Sequence, residues 1–125
     1  MIKNQFNEKD PLFEKIEERL KNISYNISEV CSACGRAPEW VDLMAVTKTV
    51  SPVYINHAVR QGGIQLLGEN RAQELSEKYD DYILKRKQIH FIGHLQTNKV
   101  RQIMDKVSLI QSVDSLKLAQ EIDRL

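Results

Sequence analysis

Lys48 is the residue of this chain best placed to do covalent chemistry. It follows the apolar run Leu43–Val46 by two positions, with Thr47 between. If the run forms a buried strand, a lysine reaching inward from its end is partly withdrawn from water, which favours the neutral amine. A neutral lysine amine is a nucleophile that forms Schiff bases with carbonyl compounds. The alternative is that Lys48 is only the first solvated residue after the strand, since lysine is rarely buried.

Polar residues stand at the ends of the three later apolar runs as well. They are Glu69 and Asn70, then the segment His90–Asn98, then Gln111, Ser112 and Asp114. In a (β/α) barrel the functional groups collect where strands end and helices begin. Any one of these residues could instead cap the next helix. Four such strand ends at one rim, one of them carrying Lys48, favour a functional site.

His90 and His94 are spaced as in a metal site on a helix, where residues four apart share one face. The residues between them are Phe91, Ile92 and Gly93, which favour a strand. In a strand four residues span about 13 Å, too far for two imidazoles to bind one ion. The sequence therefore predicts no metal site, and it leaves His90 either as a structural histidine or as a ligand contact inside the barrel.

The two cysteines of the chain, Cys31 and Cys34, form a C-x-x-C pair. Such a pair can be redox-active or half of a zinc site. No second pair exists, and both residues fall on the apolar stripe of a predicted helix that precedes Gly35. We therefore predict two small residues that face the core.

Five helices are predicted around the four apolar runs. The first begins at Asp10 and Pro11, a capping residue followed by a favoured first helical residue, and ends at Gly35. Helix-period stretches then follow each strand-like run. The predicted strands are Leu43–Val46, Ile64–Leu67, Ile89–Ile92 and Val107–Ile110.

Four successive β-then-α units with continuous apolar strands indicate parallel strands covered by helices, an α/β fold. Right-handed crossovers allow a doubly wound sheet or a (β/α) barrel. No G-x-G-x-x-G motif follows the first run and no P-loop motif occurs, so the usual sequence support for a nucleotide-binding sheet is missing. We predict the first four βα units of a TIM-type (β/α)8 barrel, preceded by an N-terminal helix.

The composition sets further limits. At 125 residues with a net charge of +1, the chain is predicted to be a single domain, residues 1–125, without a nucleic-acid partner. No apolar run has the roughly 20 residues of a membrane span, and Met1–Asp10 is polar rather than a signal peptide. We expect a cytoplasmic protein.

Three segments resemble successive motifs of the pyridoxal phosphate homeostasis proteins, a family similar to the N-terminal barrel domain of alanine racemase. They are Leu43–Thr49 (LMAVTKT), Leu67–Glu74 (LGENRAQE) and His90–Lys99 (HFIGHLQTNK). The resemblance implies a barrel that holds pyridoxal 5'-phosphate as an aldimine on Lys48, with Asn70 and His90 lining the cofactor pocket. Arg71 stands where the family often has an aromatic residue.

The resemblance implies a vitamin B6 homeostasis protein with no established catalytic reaction. The alternatives are a racemase or aldolase, or a half-barrel fragment that binds nothing small. Family members are about twice as long as this chain, and barrel phosphate sites usually use the last two strands. We therefore expect the N-terminal half of a barrel that binds the cofactor weakly and self-associates through exposed strand edges.

Overall fold

Four short strands form one parallel sheet whose strand order follows the chain. In this computed structural model, which describes residues 10–125, the strands are β1 (Met44–Val46), β2 (Leu66–Glu69), β3 (Ile89–Phe91) and β4 (Leu109–Ile110). The predicted α/β fold is confirmed. The polar start predicted for Met1–Asp10 lies, apart from Asp10, outside the described residues.

Two strands begin two residues later than the sequence predicts, and β1 begins one residue later, at Met44. The predicted second run starts at Ile64, but β2 starts at Leu66 because Gln65 bonds to Leu43, the residue just before β1. Its backbone N–H donates to the carbonyl of Leu43, and its side-chain oxygen accepts from the Leu43 N–H at 2.6 Å. β4 likewise starts two residues after Val107, which is buried in the turn before the strand.

Within residues 10–125, five α-helices and four short 3-10 segments accompany the sheet. The helices are α1 (Pro11–Cys34), α2 (Pro52–Arg60), α3 (Ala72–Lys78), α4 (Val100–Ile103) and α5 (Leu116–Arg124). The 3-10 segments are Pro38–Trp40, Tyr79–Asp81, Arg86–Gln88 and Thr97–Lys99.

The predicted helix caps are present. The side chain of Asp10 accepts a hydrogen bond from the Leu12 N–H at 2.9 Å, and Gly35 ends α1 in the left-handed conformation with φ 73°. Ser51 caps α2, and Ser115 caps α5. These side chains satisfy N–H groups that the first helical turn leaves without partners, and so they set where each helix begins.

One face of the sheet, here called the covered face, packs against the helices. The strand register aligns Leu67 with Ile89 and Glu69 with Phe91, so these side chains point to the same side. Leu67, Ile89 and Phe91 are fully buried. They share one core with helix residues such as Leu75 and Ile103, and the core includes apolar residues from every α-helix after α1.

The opposite face, here called the open face, is not covered by residues 10–125. The register aligns Val46, Gly68, His90 and Leu109 across the four strands. Val46 is 53% exposed and Leu109 is 49% exposed. Gly68 is buried because the side chains of its neighbours close over it, and a Cβ there would lie 2.6 Å from the sulfur of Met44.

α1 packs less deeply than its apolar stripe predicts. It lies mainly against α2 and the Pro38–Trp40 segment, so only Phe13 and Cys31 are buried. The prediction that both cysteines face the core is therefore half wrong, because Cys34 is exposed. Both thiols are free.

Candidate functional site

Lys48 is exposed, so the prediction that the strand end withdraws it from water is wrong for residues 10–125. β1 ends at Val46, and the residue that enters the core after it is Thr47, which is 1% exposed. Lys48 comes next, in the turn that follows β1, and it is exposed. Its amine is thus accessible to a ligand.

The turn Thr47–Val50, here called the lysine turn, is fixed by several hydrogen bonds. Its own bond runs from the Val50 N–H to the Thr47 carbonyl at 3.1 Å. Glu74 and Lys78 of α3 supply the others. Glu74 Oε2 accepts from the Thr49 N–H at 2.7 Å, and Lys78 Nζ donates to the carbonyls of Thr47 and Val50.

Glu69 does not join Lys48 at the rim, although the sequence groups them. It is fully buried on the covered face, where its Oε2 accepts hydrogen bonds from the hydroxyls of Thr47 and Tyr82. Burial, and then the hydrogen bond to Glu69, raises the pKa of Tyr82 above its ordinary value. The Thr47–Glu69–Tyr82 network therefore fixes the end of β1 from the covered face.

Asn70, the next residue, follows β2 at the start of the loop to α3. Its Oδ1 is buried and has no hydrogen-bond partner within residues 10–125. The Asn70 backbone packs closely on Gly93, where a Cβ would lie 2.1 Å from the Asn70 carbonyl oxygen. An acceptor without a partner is costly to bury, so Asn70 Oδ1 is a candidate to bind a ligand.

Asn70 also lines a cleft of about 240 Å³ at the rim of the sheet. Arg71, which stands where the resemblance leads one to expect an aromatic residue, lies along the same cleft and is exposed. His94 and Lys99 complete its basic lining.

His90 lies on the open face, in the row of Val46 and Leu109. The side-chain amide of Gln111 lies 3.0 Å from His90 Nδ1 and can donate to it. The other ring nitrogen, Nε2, has no hydrogen-bond partner within the described part of the chain. His94 pairs instead with Asp114, at 3.4 Å, so the two histidines have separate partners.

Lys48 and Asn70 thus follow the ends of the adjacent strands β1 and β2, and His90 lies on the open face of the same sheet. Val46 and Gly68 are aligned neighbours in the register, and Lys48 and Asn70 each follow two positions later. Adjacent strands lie about 4.8 Å apart. Glu74, Lys78 and Tyr82 were not among the predicted site residues. The i, i+4 spacing of Glu74 and Lys78 could have identified this pair in the sequence. No feature of the sequence indicates the contact of Tyr82 with β2.

Residues 10–125 contain neither a metal-binding cluster nor a membrane-spanning helix. No three or more His, Cys, Asp or Glu side chains there are grouped so as to hold a metal ion. No helix in the same range has the length and apolar character needed to cross a bilayer.

Comparison with known proteins gives consistent results. Over 86% of its length the chain is 40% identical to a pyridoxal phosphate homeostasis protein of Aquifex aeolicus, of which it spans 46%. Proteins of the same name from Pseudomonas aeruginosa and Escherichia coli K12 are 36% and 32% identical, and the chain spans 46% and 47% of them. No family model matches the sequence.

Two solved structures share the fold. One, an unknown protein from Bifidobacterium adolescentis, has a TM-score of 0.80 and 27% identity over 97% of this chain and 53% of its own. The other, PipY of Synechococcus elongatus with PLP bound, has a TM-score of 0.58 and 34% identity over 78% of this chain and 46% of its own. The sheet of this chain is thus part of a TIM-type barrel.

The chain spans about half the length of the relatives it matches. The motifs around Lys48, Asn70 and His90, the parallel sheet and these matches together show that the chain is similar to the pyridoxal phosphate homeostasis proteins over about half of their length.

Proposed function

We propose that this chain binds pyridoxal 5'-phosphate through the amine of Lys48 and acts in intracellular vitamin B6 homeostasis, in the cytoplasm, without catalysing a reaction. The observation that carries the proposal is that Lys48, which is exposed, and Asn70 follow the ends of adjacent strands, with His90 on the open face of the same sheet. The names of the relatives and the PLP bound in PipY support it.

The residues of the open face suit such a ligand. Lys48 is exposed, so its amine can be reached. Asn70 Oδ1 is a buried acceptor without a partner in the described chain, and His90 is bonded through Nδ1 to Gln111. The exposed side chains of Val46 and Leu109 offer apolar surface to a flat ring. Bound pyridoxal phosphate supplies an aldehyde that a lysine amine can capture and a ring that withdraws electrons.

The tyrosines favour a non-catalytic role over a racemase. A racemase needs a second acid or base facing the cofactor, and alanine racemase uses a tyrosine for it. All four tyrosine hydroxyls of this chain have other partners. Those of Tyr25, Tyr54 and Tyr82 donate to Glu29, Asp10 and Glu69, and that of Tyr79 accepts from the Arg86 N–H. Tyr82 lies just after the 3-10 segment Tyr79–Asp81 and points into the covered face.

A titration with pyridoxal 5'-phosphate tests the proposal. We expect the chain to develop the visible absorbance of lysine-bound cofactor, Lys48→Arg to lose it, and the matched surface variant Lys87→Arg to keep it. We expect no racemisation of alanine by the loaded protein. An unchanged spectrum in Lys48→Arg would refute the site, and racemisation abolished by Lys48→Arg would favour the enzyme.

A further inference from the structure

We propose that Glu74 and Lys78 are positioning residues that hold the lysine turn and so direct Lys48 toward the open face. The role of Lys48 in this inference rests on the proposed function. The contacts that hold the turn do not depend on it.

The two side chains bind the turn on both sides of Lys48. Lys78 Nζ donates to the Thr47 carbonyl at 3.2 Å, just before the lysine, and to the Val50 carbonyl at 2.6 Å, two residues after it. Glu74 Oε2 accepts from the N–H of Thr49, at 2.7 Å. Thr47, Thr49 and Val50 are thus each held by hydrogen bonds of their backbone. Lys48 lies between them, and its side chain is exposed to a ligand.

The two side chains also bind each other. Lys78 Nζ donates to the same Oε2 of Glu74 that accepts from Thr49, and the side chains are each 15% exposed. They lie one helical turn apart on α3, so both reach across to the same loop. A pair largely withdrawn from solvent is screened less than a surface pair, so it can impose a backbone conformation on the turn.

The turn needs such support because its backbone is strained. Thr49 has φ 63°, and it is the single residue other than glycine with a positive φ in residues 10–125. The left-handed region is unfavourable for a β-branched residue. Strained backbone of this kind persists where surrounding contacts enforce it, and it is concentrated at functional sites. At Thr49 the enforcing contact is the bond from its N–H to Glu74.

Hydrogen exchange of the Thr49 amide tests the positioning role without any cofactor. Lys78→Met keeps the length of the side chain but removes its donors. We expect exchange at Thr49 to accelerate about tenfold, the effect of losing one ordinary to strong hydrogen bond. Lys78→Arg retains donors and should restore most of the protection. Lys87→Met, on the surface, is the matched control and should change nothing. The Ile92 amide, which bonds to the Glu69 carbonyl in the sheet, reports whether each variant is folded.

The second measurement is the share of borohydride-trapped pyridoxal phosphate that Lys48 takes from the other lysines. We expect that share to fall severalfold in Lys78→Met and to recover in Lys78→Arg. Unchanged Thr49 exchange and unchanged Lys48 labelling in folded Lys78→Met would overturn the inference. If Lys78→Met does not fold, Glu74→Gln decides by the same two readouts. The two proposals can also be separated. If Lys78→Met speeds exchange at Thr49 but the wild-type protein shows no label on Lys48, the proposed function is refuted, while the role of Glu74 and Lys78 in holding the lysine turn is supported.

Discussion

The covered and open faces of the sheet are built from alternate residues of the same strands, yet their side chains differ sharply in burial. In β3, Ile89 and Phe91 are fully buried on the covered face, while His90 between them is half-buried on the open one. In β1 and β4, Val46 and Leu109 are left about half exposed on the open face. The covered face thus holds the fold together, and the open face is free to carry a site.

The sharpest test of this difference uses two leucines of one sheet. Leu67→Ala removes a fully buried side chain of the covered face, so it should lower the free energy of unfolding by about 2.7–5 kcal/mol. Leu109→Ala, on the open face, should lower it by less than about 1 kcal/mol, because the side chain is already half in water. Urea unfolding of both variants measures this. Equal losses would mean that the open face is also part of the core.

Behind β1, the hydroxyl of Tyr82 can be removed without creating a large cavity. Tyr82→Phe takes one of two hydrogen bonds from Glu69 Oε2, whose carboxylate also has a buried Oε1 without a partner in the described chain. We expect a loss of about 1–3 kcal/mol in the free energy of unfolding. Tyr25→Phe removes an exposed bond to Glu29 and serves as the control, with a loss below about 0.5 kcal/mol. Similar losses in both would show that the buried network adds nothing.

On the open face, Asn70 should affect binding and not folding. Its Oδ1 makes no hydrogen bond within residues 10–125, so Asn70→Ala removes no stabilising side-chain contact of that atom. We expect affinity for pyridoxal 5'-phosphate to fall by about 1 kcal/mol, roughly fivefold, with the unfolding midpoint unchanged. Calorimetric titration and urea unfolding of the same variant separate the two effects. A destabilised protein with unaltered affinity would make Asn70 structural.

The smallest effect should come from pH. Burial raises the pKa of Glu74, but hydrogen bonds from Lys78 and the Thr49 N–H, with the charges of Lys78 and Arg71, more than offset it and hold the pKa below the ordinary 4.5. Tyr82 also lies near enough to interact with Glu74. A carboxylate with a lowered pKa stabilises the folded state above its unfolded pKa, and the effect is lost as pH falls through the folded pKa.

We therefore expect protection of the Thr49 amide, corrected for intrinsic exchange, to be constant from neutral pH down to about 4.5 and to decline in stronger acid. Glu74→Gln has no carboxylate to titrate, so its weaker protection should not vary over the same range. A decline in wild-type protection that begins well above pH 4.5 would contradict the lowered pKa.

The fold was predictable because its signals are local. Apolar runs of strand length and capping residues such as Asp10 and Ser51 act over a few residues, and each appears near its predicted place. The errors arose where long-range contacts decide. Gln65 leaves the predicted strand to bind Leu43, 22 residues earlier, and Cys34 is exposed because α1 lies against α2 rather than inside the core.

The site was predictable only in part. Lys48, Asn70 and His90 were predicted from their positions at strand ends and within motifs, and in the structure Lys48 is exposed after β1 while His90 lies on the open face. The sequence could not show that Thr47, and not Lys48, is the buried residue, since a shift of one position along a strand exchanges the two faces. It also could not show that Glu69 turns away from the site toward Tyr82, 13 residues later.

The most direct test of the account is to trap bound pyridoxal phosphate with borohydride and map the label by peptide mass spectrometry. If the open face is the functional one, the label should lie mainly on Lys48, which follows β1 at that face. Lys85, Lys87 and Lys99 are exposed lysines elsewhere in the chain and provide the internal comparison. Label found mainly on any of these three would contradict the assignment of the site to the open face.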